Sequence, residues 1–259
     1  MSSGINTVTI LVGVLCDDGV VIGADSSATF SAGSVKTIEH PVTKVHVVSN
    51  DFIFAFSGSG GLSQRFTSIV QKIRAEPNFS IGDHLAIAKI ISRLTIEDFS
   101  FTNAPKGEFG AIVAFTCKNQ FYLCEFDTVD LQPEFKMDDI WFVSVGSGQP
   151  IADPFLGLLS RVFFEHSRPK LSEGIFITLW TLLHAIEVNL GGIKGPPTIA
   201  VLTQKTSAHP FTAHLYSEDE LEEHRNNVKD AEQHLAAYRS ILAGRGQTTP
   251  PPPTPPPAV

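Results

Sequence analysis

Two apolar runs, residues 7–16 and 20–24, flank Asp17-Asp18-Gly19 and carry hydrophobic side chains on both faces of an extended chain. That pattern predicts a β-hairpin covered on each side by other layers, with the glycine at a turn position that needs φ > 0. Residues 44–48 and 52–56 repeat the pattern around Ser49-Asn50-Asp51, which are good turn formers. The period then changes. Leu62, Phe66, Ile69, Val70 and Ile73 fall at helical spacing. A second helix is expected to start at Ser80, with Asp83 in capping-box register, and to bury Leu85, Ile87, Ile90, Ile91 and Leu94. Strands return at 111–116, 120–126 and 140–145, with Lys118-Asn119 as a tight turn. Helices follow at 151–165 and 172–190, stopped by Gly191-Gly192, and the last strands lie at 197–203 and 211–216. Pairs of helices alternating with groups of strands give an α+β class.

Residues 26–43 are mixed in character, and Pro41 ends what reads as a short strand and loop. Near the other end, Ser217-Glu218-Asp219-Glu220 is a capping box. Beyond it Leu221, Val228, Leu235 and Leu242 recur every seven residues, with Ala231 and Tyr238 between. So short a repeat suits a docking helix, residues 217–243, lying on the parent fold or a neighbour. The proline-rich residues 244–259 read as a disordered, polyproline-like tail, and residues 1–8 as a short leader before a 9–216 domain.

Composition narrows the function. A chain of 259 residues that is 42% hydrophobic can bury one sizeable core. Its formal charge of −8, without a basic cluster, argues against nucleic acid and anionic membrane as partners. Cys16, Cys117 and Cys124 sit in strand-like runs and read as reduced, structural thiols. No secretory n-region precedes the first apolar run, and the most apolar later segment, 174–190, contains His184 and Glu187 and falls short of a bilayer span. A cytoplasmic location is the expectation.

Asp25 closes the run Val20-Val21-Ile22-Gly23-Ala24, and a buried carboxylate needs a cationic or donor partner. Lys44 and an amino terminus freed before Thr9 are the candidates. With the turn near Asp18-Gly19, Asp25 returns to within a couple of residues of Thr9, so a hydroxyl and an acid share one end of the sheet. Such a hydroxyl attacks a carbonyl only with a base held against it. A free α-amino group can serve as that base, since its pKa lies near 8.

Thr9-Ile10-Leu11-Val12-Gly13-Val14, Asp18 through Asp25 with Ala28-Thr29, Lys44-Val45-His46, Ala55-Phe56-Ser57-Gly58 and Val145-Gly146-Ser147-Gly148 occur in order. Over roughly residues 9–205 this resembles the proteasome β-subunit group of N-terminal-nucleophile hydrolases, including bacterial proteasome-like proteases. The resemblance implies a four-layer αββα sandwich and a threonine-type endopeptidase working on unfolded polypeptides. It further implies identical subunits in stacked rings, a separate ATP-dependent unfoldase as a possible partner, and neither cofactor nor metal. It matches Thr9 to the nucleophile, Asp25 to the acid, Lys44 to the lysine, Gly58 to the oxyanion glycine and Ser147 to the supporting serine. Thr29 would pair its backbone with an extended peptide. Ala28, His46 and Phe56 would line the primary specificity pocket, with Phe56 intruding to favour small apolar side chains.

The chain departs from that pattern in places. The later Asp-x-x-Ser-Gly signature is met only by Glu187-Val188-Asn189-Leu190-Gly191-Gly192, in which Glu187 would replace the aspartate and Leu190 cannot replace the serine. Ser27 stands where a basic residue is usual. Val8 stands where a glycine usually precedes the nucleophile, and a β-branched residue restricts a strained turn. Two readings therefore stay open: a protease activated by cleavage before Thr9, and a catalytically silent ring subunit whose Thr9 remains capped.

Overall fold

The computed structural model describes residues 9–32, 35–77, 79, 82–104, 107–188, 192–204 and 210–243. The first hairpin forms as the apolar pattern requires. β1 (Leu11–Leu15) and β2 (Gly19–Ala24) are buried along their whole length. Leu11 pairs with Ala24, so Asp25 lies beside Ile10, closer to Thr9 than a turn centred on Asp18-Gly19 gives. Gly19 does not adopt positive φ. Its missing side chain is needed instead for the Leu202 carbonyl and Leu171, which crowd it.

The mixed segment after Asp25 is a hairpin of its own, β3 (Ser27–Ala32) with β4 (Val35–Pro41), forming a separate two-stranded sheet. β5 (Val45–Ser49) and β6 (Phe52–Gly58) then lead into α1 (Gly60–Arg74), capped by the Ser59 hydroxyl. α2 (His84–Phe101) begins later than expected, because Asp83 is its N-cap and accepts from the Ala86 N–H. It buries Ile87, Ala88, Ile91, Thr95 and Phe99, whereas Leu85 and Ile90 are 39% and 42% exposed. The helix faces its sheet with the 87/91/95 stripe, which leaves Leu94 half-buried at its edge and Leu85, Ile90 and Phe101 in solvent.

β7 (Phe109–Cys117), β8 (Gln120–Phe126) and the short β9 (Pro133–Phe135) complete the second sheet, in the order β5-β6-β7-β8-β9. Lys118 and Asn119 both take positive φ in the turn between β7 and β8. β10 (Phe142–Val145) crosses to the first sheet and pairs with β1. α3 (Gln149–Phe163) and α4 (Leu171–Val188) follow, then β11 (Thr198–Gln204) and β12 (Phe211–Leu215) close the order β10-β1-β2-β11-β12.

The two sheets stack face to face. Gly13 of β1 faces Ile112 and Leu123 of the second sheet, while Gly23 of β2 faces Thr178 and Leu182 of α4. Phe66 of α1 meets Phe54, Phe109 and Phe126 on the other outer side. Helices, sheet, sheet, helices is the expected αββα sandwich. α4 is apolar nearly all round and long enough by composition to cross a membrane, but half of it is buried here. A helix apolar on every side belongs in a core, and α4 lies between β2, α3 and the last helix, α5 (Glu222–Leu242).

The Ser217–Glu220 box closes a turn ahead of α5, with the Glu220 carboxylate accepting from the Ser217 N–H at 2.7 Å, and the helix begins at Glu222 rather than 217. Only the first part of the heptad stripe docks. Leu221, Val228 and Ala231 are buried on the parent fold, and Glu232 accepts from the Trp180 indole N–H at 2.9 Å. Leu235, Tyr238 and Leu242 are exposed. Leu221 and Val228 contribute roughly 1.5–3 kcal/mol each. The tail at 244–259 and the leader at 1–8 lie outside the described residues.

Candidate active site

Three elements converge where β1 begins. Thr9 precedes β1, Asp25 follows β2 and Lys44 precedes β5, and all three are at most 4% exposed. Lys44 Nζ donates to Thr9 Oγ1 at 3.0 Å and to Asp25 Oδ1 at 2.7 Å. Asp25 is held further: the Ile10 N–H donates to Oδ1 at 2.9 Å and the Ser27 N–H to Oδ2 at 3.2 Å. The carboxylate is thus fixed by three hydrogen bonds, from Lys44, Ile10 and Ser27, and it orients the ammonium toward the hydroxyl.

Burial sets the electrostatics. Desolvation raises the Asp25 pKa, against the charge and hydrogen bond of Lys44 and the two backbone donors. Desolvation also lowers the Lys44 pKa, against the attraction of Asp25. Both shifts work against the charged forms, so the pair is held at some cost to stability, as expected of a buried ion pair with a single counter-charge. A lysine with a lowered pKa gives up a proton more readily than a surface lysine, and its nitrogen sits 3.0 Å from Thr9 Oγ1.

Ser147 approaches from the far side. Its hydroxyl accepts from the Thr9 N–H at 3.1 Å, and the Gly148 N–H donates to the Thr9 carbonyl at 3.1 Å. The approach depends on Gly146, which has φ +107° and whose Cβ, were it present, would collide with the Thr9 carbonyl oxygen. Gly58 is likewise at positive φ, and a Cβ there would strike the Glu108 carbonyl. The glycine is therefore required by β6–β7 packing as well as by any role toward a carbonyl.

A cavity of about 310 Å³ opens beside Thr9, lined by Ser27, Ala28, Lys44, His46, Phe56 and Gly58 among others. The His46 ring lies against both Phe54 and Phe56, at 5.1 and 5.3 Å between ring centres. Burial lowers its pKa against a backbone hydrogen bond at Thr43, which keeps the ring neutral at physiological pH. Phe56 lies flat on His46, and the remaining space is about ten times the ~30 Å³ share of one water.

The proteasome subunit family model matches residues 5–173, the span that carries all of these groups. The chain belongs to the proteasome subunit family. Among solved structures this proteasome-family chain is similar to an Anbu Gly-1 mutant from Hyphomicrobium sp. strain MC1, with 17% identity, TM-score 0.67, and 93% of this chain and 99% of that one covered. It is also similar to Anbu, an ancestral beta-subunit, from Yersinia bercovieri, with 14% identity, TM-score 0.67, and 92% and 98% covered. At such identities the likeness speaks for the fold. No curated protein matches the chain in sequence.

In this proteasome-family subunit, Thr9, Asp25, Lys44 and Ser147 come together, and Gly58, Ala28, His46 and Phe56 line or border the same cleft. Thr29 lies in β3 opposite Glu39, and its side chain is outside the described part. Glu187 is not brought in. It is exposed near the end of α4 and makes no hydrogen bond or ion pair with the cluster among the described residues. α4 turns its 178/181/182/185 side inward, which puts position 187 in solvent. Leu190 lies outside the described residues. Sequence reasoning undervalued Ser27 and Gly146. Ser27 gave no signal beyond its place after the acid, whereas Gly146 was legible as part of Gly-Ser-Gly.

Proposed function

We propose that this proteasome-like subunit is a threonine-type endopeptidase, made active by removal of residues 1–8, that degrades unfolded polypeptides inside a ring of identical copies. The observation that carries the reading is Lys44 Nζ placed between Thr9 Oγ1 at 3.0 Å and Asp25 Oδ1 at 2.7 Å. In this mechanism the freed α-amino group of Thr9 takes the proton from Oγ1, and Oγ1 attacks the scissile carbonyl carbon. The ammonium of Lys44 lowers the cost of the forming alkoxide, and a backbone N–H at Gly58 receives the oxyanion. The proton passes to the departing amine, leaving an acyl ester on Thr9. Water activated by the same amine then cleaves the ester. Ser147, already within hydrogen-bond reach of Thr9 N, holds the amine in place.

A cytoplasmic site of action and a separate unfoldase feeding the ring belong to the same proposal. Intact-mass measurement of the purified chain tests it, together with hydrolysis of a fluorogenic peptide. Loss of the first eight residues and peptide hydrolysis, both abolished by Thr9→Ala, are the expected results. A full-length chain that hydrolyses no peptide would overturn it. One observation favours the second reading, a silent ring subunit: the exposed Glu187 leaves the cluster without the acid that the family pattern places there.

A further inference from the structure

Ser27, which replaces the usual basic residue, is 4% exposed, and its hydroxyl donates to Glu39 Oε1 at 2.8 Å. Glu39 lies on β4, opposite Thr29 of β3. Its other oxygen accepts from Lys194 Nζ at 3.0 Å, on the segment that joins α4 to β11. The same segment binds the hairpin through its backbone, because the Ser26 N–H donates to the Lys194 carbonyl at 3.2 Å. The Ser27 N–H in turn reaches Asp25 Oδ2. One run of hydrogen bonds therefore passes from Thr9 through Lys44, Asp25 and Ser27 to Glu39 and Lys194. The β3–β4 hairpin is a separate two-stranded sheet, so these contacts fix its angle over the cleft that Ser27 and Ala28 line.

We infer that Glu39 and Lys194 are positioning residues: they latch the β3–β4 hairpin so that its first strand is presented, pre-ordered, to an extended peptide crossing the cleft. The latch supplies from another element the cation that the chain lacks at position 27. Its peptide partner rests on the protease reading; its effect on the hairpin does not. A side chain entering the cavity beside Thr9 meets the start of that hairpin at Ser27 and Ala28, and otherwise Lys44, His46, Phe56 and Gly58. Strand-on-strand pairing needs the hairpin held still, since ordering a loose strand on binding lowers affinity. Both partners are partly exposed, at 37% and 60%, so the effect is modest and sensitive to salt.

Hydrogen exchange of the hairpin amides tests the latch directly. Lys194→Met and Glu39→Gln are expected to speed exchange across β3 and β4 by roughly three- to fivefold while leaving β1 and β2 unchanged. The reversed pair, Glu39→Lys with Lys194→Glu, should restore most of the protection. On the Thr9→Ala background, which cannot hydrolyse, a fluorescent extended peptide should bind the single variants more weakly by a similar factor. In the otherwise wild-type chain, the rate at which a small electrophile labels Thr9 should stay within about twofold, a change that a general loss of structure would exceed. Unchanged hairpin exchange, no rescue by the reversed pair, or equal loss of peptide binding and labelling would overturn the inference. If the wild type hydrolyses nothing, the protease reading fails while exchange still decides the latch. Faster exchange without weaker peptide binding would overturn the positioning role.

Discussion

Among the described residues two lysines are buried, and the fold treats them in opposite ways. Lys44 is 4% exposed and Lys136, just after β9, is 8% exposed. Lys44 has one carboxylate, Asp25, which is itself fully buried and already accepts two backbone N–H groups. Lys136 has two, Glu125 at 2.8 Å and Glu134 at 2.6 Å, and Glu134 is 70% exposed. Burial pulls both lysines down. For Lys44 it wins and the pKa falls; for Lys136 the hydrogen bonds and charges of two glutamates outweigh it and the pKa rises. Lys136 is thus a tie between β8 and β9, held charged. Lys44 is under-compensated, and it is the one with a hydroxyl at 3.0 Å. An excess of counter-charge holds the proton on Lys136; a shortage leaves Lys44 to release its proton more readily.

Truncation should separate the two most strongly. Lys44→Ala strands a buried carboxylate and is expected to cost about 3–5 kcal/mol in urea unfolding. Lys136→Ala, which leaves glutamates that water reaches or that can take up a proton, should cost about 1–3 kcal/mol. Equal losses would erase the distinction. Next, Lys44→Met combined with Asp25→Asn removes both charges and is expected to be as stable as wild type or up to about 4 kcal/mol more so, though inactive.

The pH dependence of that gain has a definite sign. Asp25, with its pKa raised from 3.8, contributes stability that is full below its unfolded value and lost as pH rises through the folded one. Lys44, with its pKa lowered from 10.5, contributes stability that is full above its unfolded value and lost as pH falls through the folded one. The neutral double variant should therefore gain most over wild type between the two shifted values, and least at either extreme. A gain that grew steadily toward acid pH would contradict the assignment. The smallest effect belongs to the far end of α5, where Leu242→Ser, at a side chain 86% exposed, should change unfolding by less than about 0.5 kcal/mol.

The same contrast explains what the sequence made legible. β1, β2, α1 and α4 follow from their apolar patterns because those side chains are buried wherever the chain permits. Thr9 and Asp25 were readable as a pair because the hairpin fixes their spacing, and Lys44 joined them as the counter-charge that the family resemblance matches. Helix faces were less so: α2 and α5 carry more apolar positions than their sheet or helix partner can cover, and the pattern alone does not say that Leu85, Ile90 or Leu235 is left outside. β10 reads in one group with β7 and β8, yet it pairs with β1, and its far end brings Gly146 and Ser147 to Thr9. Glu187 stood for the acid only through the family resemblance, and the fold leaves it exposed at the end of α4. The Ser27–Glu39–Lys194 run had no local signal, because its members are distant in sequence.

The most direct test is the rate at which a threonine-directed electrophile modifies Thr9 in the processed chain, compared among wild type, Lys44→Met and Lys136→Met. A poised Lys44 predicts a loss of about 10²- to 10⁴-fold for Lys44→Met and a near-wild-type rate for Lys136→Met. Modification at the wild-type rate without Lys44, or no modification of the wild-type chain at all, would contradict it.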